Sequence, residues 1–72
     1  MIKIFKMQDL DCANCAAKME ADINALPQVN SARVNFMSQK MKLDVQDGTL
    51  DEVLAEAQKI CKRYEPDCII LC

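Results

Sequence analysis

The order in which the spacing of apolar residues changes along the chain constrains its fold more than any other feature. Residues 1–7 read as a strand, and from about Ala13 apolar residues recur every three or four positions, the spacing of a helix face. Two alternating segments follow at 32–36 and 41–45, then a second helical segment, and a last strand at 68–72. The order β-α-β-β-α-β predicts an α+β, ferredoxin-like, open-faced sandwich with a four-stranded antiparallel sheet and two helices on one face.

Turn and capping residues mark the ends of these segments. Pro27 ends the first helix, and Gly48 breaks the chain after the third strand. Thr49 is followed three residues later by Glu52, a spacing that predicts a capping box at the start of the second helix. The chain has 72 residues and contains no linker, repeat or low-complexity segment, so residues 1–72 are expected to form a single domain with a small core.

Two cysteines three positions apart, Cys12 and Cys15, follow directly after Asp11. Where a loop runs into a helix, this spacing lets both sulfur atoms face one point, which suits a soft or borderline metal ion or a reversible disulfide. The carboxylate of Asp11 adds a harder oxygen and a negative charge. Because the positive end of the first helix is close, the thiol of Cys15 is expected to ionise more easily than a free thiol.

The predicted topology brings distant parts of the chain to the cysteine pair. In this fold the first and last strands are antiparallel neighbours, so the end of the first strand lies near the start of the last. Glu65 and Cys68 are therefore expected close to Cys12 and Cys15, with Cys72 at the far end of the last strand.

The composition of the chain excludes some classes of function. A net charge of −2, no Trp and a single Tyr argue against nucleic-acid binding, and the absence of His excludes imidazole ligands. Five cysteines cannot all pair within one chain. The N-terminus lacks the apolar core of a signal peptide, and no stretch reaches the roughly 18 apolar residues of a membrane span. A cytoplasmic location with reduced thiols is therefore expected.

Residues 9–15, Asp-Leu-Asp-Cys-Ala-Asn-Cys, resemble the motif Gly-Met-x-Cys-x-x-Cys, and residues 27–29, Pro-Gln-Val, resemble a helix-ending Pro-Gly-Val, with Asp9 and Gln28 in place of the two glycines. By these motifs, nearly the whole chain resembles the heavy-metal-associated domain, a module of metal-transporting P-type ATPases and metallochaperones, with Leu10 in place of the motif's Met as a core plug. The Cys-Ala-Asn-Cys-Ala run at 12–16 and the Glu-Pro-Asp at 65–67 resemble the zinc, cadmium and lead branch of that family.

This resemblance implies that the chain binds Zn(II) or Cd(II) as cargo, with Pb(II) as a further candidate. It would be the N-terminal domain of a metal-exporting P-type ATPase, delivering metal to it or regulating it. It would not itself be an enzyme, and the transmembrane or other cytosolic domains of the ATPase would be its partners. The implied ligands are Cys12, Cys15, Asp11 and, from the loop after the second helix, Glu65. Cys68 is expected in the core, with a role as a third thiolate left open.

Other functions remain open at this point. Cu(I) is content with two thiolates, whereas Zn(II) and Cd(II) take about four ligands and accept carboxylate oxygen. A free-standing Cu(I) or Hg(II) metallochaperone would share the fold and both thiols. A thiol oxidoreductase would use Cys12 and Cys15 as a redox couple, although the residue directly before Cys12 is Asp11 and not an aromatic one. A degenerate interaction module would keep the fold without using the site.

Strand alternation also predicts an exposed apolar patch. If Phe5 faces the helices, Ile2 and Ile4 face the other side of the sheet, where Ile69 and Leu71 on the neighbouring last strand join them. Such patches often mark docking surfaces, so we expect docking of a following domain or a weak dimer there, without membrane insertion.

Overall fold

The computed structural model describes residues 1–71, and Cys72 lies outside the described residues. The predicted order of elements is confirmed. The strands are β1 (Ile2–Gln8), β2 (Val29–Asn35), β3 (Lys40–Val45) and β4 (Ile69–Leu71), and the helices are α1 (Ala13–Asn24) and α2 (Leu50–Tyr64). Neither helix is long and apolar enough to cross a membrane within the part of the chain that the structure describes.

The sheet has the strand order β2-β3-β1-β4, and all three neighbouring pairs are antiparallel. In the β1–β4 pair, Gln8 lies opposite Ile69 and Lys6 lies opposite Leu71. The end of β1 and the start of β4 therefore share one edge of the sheet, as the topology predicted. This edge carries the loop from β1 to α1 and the turn from α2 to β4.

The core lies between one face of the sheet and the two helices. The helices contribute three buried residues from α1 and four from α2. The fully buried large side chains, each under 2% exposed, are Leu10, Met19, Ile23, Met41, Leu43, Val45, Val53, Cys61 and Cys68. Among the described residues no charged or polar side chain is buried with them. Two of the four cysteines within residues 1–71 are thus core residues.

The predicted capping box at α2 is wrong. Thr49 is the N-cap residue but makes no side-chain capping hydrogen bond. Its hydroxyl instead donates to the carbonyl oxygen of Gln46 at 2.6 Å, which stabilises the turn before the helix. Asp51 and Glu52 lie in the first turn of α2, where negative charge is favourable at the positive end of the helix.

The open face of the sheet is mixed rather than a continuous apolar patch. Ile2 and Ile4 are 60% and 61% exposed, and Ile69 and Leu71 are 42% and 44% exposed, so all four point away from the helices as predicted. The register, however, sets Leu71 opposite a lysine and Ile69 opposite a glutamine of β1. The predicted patch is interrupted by these polar side chains.

Candidate metal centre

The loop that carries the cysteine pair is anchored from below. Leu10 is 1% exposed, which confirms it as a core plug. The side chain of Gln39, in the β2–β3 hairpin, accepts the Leu10 N–H at 3.1 Å and donates to the Leu10 carbonyl oxygen at 2.5 Å. The Gln39 carbonyl also accepts the N–H of Met7 at 2.7 Å. The hairpin therefore holds the backbone of the loop on both sides of Asp9, whose φ of 60° is left-handed.

Cys12 and Cys15 lie where this loop enters α1. Cys12 is the N-cap residue, with extended backbone, and its Sγ accepts the backbone N–H of Cys15 at 3.4 Å. Cys15 lies in the first helical turn, and its Sγ is 4.0 Å from the carbonyl oxygen of Tyr64. This carbonyl and the sulfur of Cys12 are alternative acceptors for the single proton of the Cys15 thiol. Both thiols are partly exposed, so a ligand from solvent can reach them.

The two thiols ionise differently, and the expectation for Cys15 is wrong. The Cys15 N–H, together with the thiol of Cys15 and the N–H of Asn14, lowers the pKa of Cys12. The pKa of Cys15 is raised, mainly because its thiol donates a hydrogen bond to Cys12, and also because of desolvation and the negative charge of Cys12 and Glu65. The N-cap position, and not the first turn, receives the N–H groups of the helix end. Cys12 is therefore expected to lose its proton at a lower pH than Cys15.

Glu65 approaches the two thiols from the end of α2. Its carboxylate oxygen and both sulfur atoms lie within 4.8 Å of one another, the one such metal-type cluster among residues 1–71. Glu65 is the C-cap residue, in extended conformation; its N–H donates to the Cys61 carbonyl at 2.9 Å, and its own carbonyl accepts the Cys68 N–H at 2.9 Å. The N–H and the carbonyl of Glu65 are thus both held by hydrogen bonds.

Contacts between the helices hold this end of α2 against α1. The Tyr64 hydroxyl donates to the Asp22 carboxylate, and the Arg63 guanidinium lies 3.7 Å from the same carboxylate. This hydrogen bond raises the pKa of Tyr64. Sequence reasoning missed these contacts, and it also missed Gln39, because a residue's spacing in the chain carries no sign of which partner its side chain reaches across the fold.

Asp11 and Cys68 fall outside the cluster of three. Asp11 is exposed and lines an open cleft of about 420 Å³ with the carboxylates of Asp9, Glu65 and Asp67. Cys68 is fully buried, and burial is the main reason that its pKa is raised. It lies against the thiol of Cys61, whose pKa burial raises to about 12. The two buried thiols remain protonated under ordinary conditions and resemble core residues in their environment.

The arrangement combines soft and hard donors at one exposed point. Two sulfur atoms and one carboxylate oxygen suit a borderline dication, and three donors leave a coordination position free. The carboxylates around the cleft make the local potential negative. The charge of Glu65 accordingly acts to raise the pKa of both thiols, although hydrogen bonds outweigh this effect at Cys12. The chemistry open to such a site is capture of a cation and its exchange with an incoming ligand.

Comparison with known proteins agrees with this geometry. The family model of the heavy-metal-associated domain matches residues 4–62. A cadmium, zinc and cobalt-transporting ATPase of Helicobacter pylori is 42% identical over 43 residues, which make up 60% of this chain and 6% of that ATPase. A probable copper-importing P-type ATPase A of Enterococcus hirae is 30% identical over 59 residues, 82% of this chain and 8% of that protein. The chain spans less than a tenth of the length of these relatives.

Among solved structures, the CopZ metallochaperone superimposes with a TM-score of 0.73 and 15% sequence identity. The alignment covers 99% of this chain and 100% of that one. At this identity the likeness establishes a shared fold, the open-faced sandwich described above, and leaves the choice of metal to the chemistry of the site.

Proposed function

Because this chain belongs to the heavy-metal-associated domain family, we propose that it captures a divalent soft metal ion and hands it to a partner. The cargo we propose is Zn(II) or Cd(II), with Pb(II) as a further candidate. Cys12, Cys15 and Glu65 are the proposed ligands. The observation that carries the proposal is the approach of one carboxylate oxygen to within 4.8 Å of both thiol sulfur atoms.

Charge and ligand number favour a dication over Cu(I). Two thiolates alone satisfy Cu(I), which gains little from a hard oxygen, whereas Zn(II) and Cd(II) accept carboxylate ligands and take about four donors. Asp11 stands directly before Cys12 and is exposed. We propose it as the fourth ligand or, where it stays in the cleft, as a source of negative charge that attracts the ion. The fully buried Cys68 we assign to the core.

The proposed capture begins at Cys12, whose lowered pKa makes it the first thiolate. Binding of the cation there makes Cys15 release its proton to solvent, so that its sulfur becomes the second ligand, and Glu65 then adds its oxygen. Release reverses this order when an incoming thiolate or carboxylate takes the free position. Both steps need the ligands deprotonated, so metal affinity falls as the pH is lowered.

The partner we propose is a metal-exporting P-type ATPase, with this chain as its N-terminal, cytosolic metal-binding domain. Support comes from the relatives, which are transporting ATPases, and from the small share of their length that the chain matches. The role is binding and delivery, with residues 1–72 acting as one domain and the pump machinery carried elsewhere.

The test is a competition titration of the reduced chain with Zn(II), Cd(II) and Cu(I). We expect Glu65→Gln to weaken Zn(II) and Cd(II) binding by about tenfold or more, a change of about 1.4 kcal/mol, and to leave Cu(I) affinity unchanged. Asp67→Asn is the matched control, because Asp67 is exposed two residues away. Asp11→Ala tests whether Asp11 is the fourth ligand, in which case the affinity for Zn(II) and Cd(II) should fall. Equal loss for all three ions, or no loss with Glu65→Gln, would rule out Glu65 as a selective ligand.

A Cu(I) carrier is the second candidate, favoured by the identity to the probable copper-importing ATPase over 82% of this chain. In that case Cys12 and Cys15 alone would bind the ion. Cu(I) would then bind far more tightly than Zn(II), and neither Glu65→Gln nor Asp11→Ala would alter its affinity.

A further inference from the structure

The open face of the sheet carries a compact group of cations, the basic quartet of Lys6, Lys40, Lys42 and Arg33. Lys6 lies directly opposite Lys40 across the β1–β3 pair. Lys42 lies directly opposite Arg33 across the β2–β3 pair. All four side chains are exposed, and they occupy two adjacent rungs of the sheet, where strands are about 4.8 Å apart.

This arrangement is electrostatically unfavourable for the isolated chain. Like charges directly opposite in a sheet destabilise it, and opposite charges are the stabilising choice. None of the ion pairs observed within residues 1–71 involves the quartet. The acid on the next rung, Asp44, is 3.8 Å from the N-terminal ammonium group of Met1. The excess of positive charge is confined to the quartet. The whole chain has a net charge of −2, and outside the quartet it contains five basic and eleven acidic residues.

Aliphatic side chains flank the quartet. Ile4 lies opposite Lys42, and Leu71 lies opposite Lys6. Ile4 is 61% exposed and Leu71 is 44% exposed. An apolar centre within a polar, charged rim is the usual arrangement of a surface that binds another protein.

We propose that this open face docks an acidic surface of another protein, one on which carboxylates surround an aliphatic centre. Carboxylates of the partner would neutralise the two like-charged pairs, and its aliphatic groups would cover Ile4 and Leu71. Cys12 and Cys15 lie at the end of β1 on the helix side of the sheet, so docking on the open face leaves both thiols free. The proposal rests on the sheet register and does not depend on which metal is bound.

The test is an NMR titration of the isotope-labelled chain with poly-L-glutamate as the model acidic surface. We expect shifts confined to the open face, and binding weakened by about tenfold or more in the double variant Arg33→Glu/Lys42→Glu. The matched control is Lys59→Glu/Lys62→Glu on the exposed side of α2, which changes the net charge equally and should leave the affinity within about threefold.

Three outcomes would overturn the proposal. One is no binding of poly-L-glutamate at low salt. The second is equal weakening by both double variants, which would indicate a response to net charge alone. The third is binding to vesicles of phosphatidylcholine and phosphatidylglycerol without binding to poly-L-glutamate, which would assign the face to a membrane. Both double variants change exposed side chains only, and their unchanged amide spectra outside the mutated strands or helix would show that they fold.

Discussion

Replacing Gln39 by Ala tests whether the hairpin anchors the metal-binding loop. The Gln39 side chain satisfies the N–H and the carbonyl of Leu10, at 3.1 and 2.5 Å, and donates to the Phe36 carbonyl at 2.9 Å. Leaving a buried backbone group without a partner costs about 1–3 kcal/mol. Because these groups are partly buried and water can reach some of them, we expect Gln39→Ala to lower the free energy of unfolding by about 2–4 kcal/mol.

A loss of this size is easily measured in a chain this small. Domains gain roughly 0.05–0.15 kcal/mol of stability per residue, so Gln39→Ala would remove a large part of the total. The assay is urea unfolding of the reduced, metal-free chain, together with hydrogen exchange at the Leu10 amide. Gln46→Ala, at an exposed position, is the matched control. Gln39→Glu keeps the acceptor for the Leu10 N–H but sets an anionic oxygen against the carbonyl oxygens of Leu10 and Phe36, so it should be destabilised at least as much as Gln39→Ala.

Both Gln39 variants are therefore expected to be less stable than wild type, with Gln46→Ala near wild type. If Gln39→Ala unfolds within about 0.5 kcal/mol of Gln46→Ala, the hydrogen bonds to Leu10 contribute nothing beyond those made by water, and the anchoring argument fails. Unchanged exchange at the Leu10 amide would contradict it as well.

Three further predictions follow from the ionisation and charge of single side chains. Burial raises the pKa of Cys61 from 9.0 to about 12, so as pH rises the thiol of the unfolded chain loses its proton before that of the folded chain. The contribution of the protonated Cys61 thiol to stability is complete below pH 9 and is lost as pH rises towards 12. The free energy of unfolding should fall there by about 1.4 kcal/mol per pH unit, and Cys61→Ala should reduce that slope; an unchanged slope would refute the assignment. Iodoacetamide should alkylate Cys12 before Cys15 near neutral pH, as peptide mass mapping would show, and the reverse order would contradict the hydrogen-bond argument. Lys40→Glu should raise the unfolding free energy by about 0.5 kcal/mol, because it faces Lys6, and urea unfolding showing a loss would contradict the like-charge pairing.

Elements were predictable where one physical signal dominates a segment. Alternation identified β2 and β3, and the spacing of Ala16, Met19 and Ile23 identified the buried face of α1. The neighbouring edges of β1 and β4 then followed from topology alone. That step brought Glu65 to the cysteine pair from fifty residues away, without any motif to place it.

The wrong predictions have a common cause. In each case a polar group could form hydrogen bonds with more than one partner, and the sequence does not show which partner it takes. The Thr49 hydroxyl could cap α2 or close the preceding turn, and it closes the turn. The thiols of Cys12 and Cys15 could each receive the N–H groups of α1, and the N-cap thiol receives them. In β1, alternation correctly predicted that Ile4 faces away from the helices. Alternation does not determine the register between strands, however, and the register places Lys6 opposite Leu71. Such choices depend on distances that only the folded chain defines.

The net charge of −2 conceals two regions of opposite sign, and their separation bears on how the chain could work. Carboxylates line the cleft beside the thiols, where Asp9, Asp11, Glu65 and Asp67 outnumber Lys62. The basic quartet lies on the other side of the sheet from the helices. A cation is therefore attracted to one region and an acidic protein surface to the other, and neither has to displace the other. Under the proposed functions, salt should weaken docking on the open face strongly, since those charges are exposed, and metal binding through direct coordination much less.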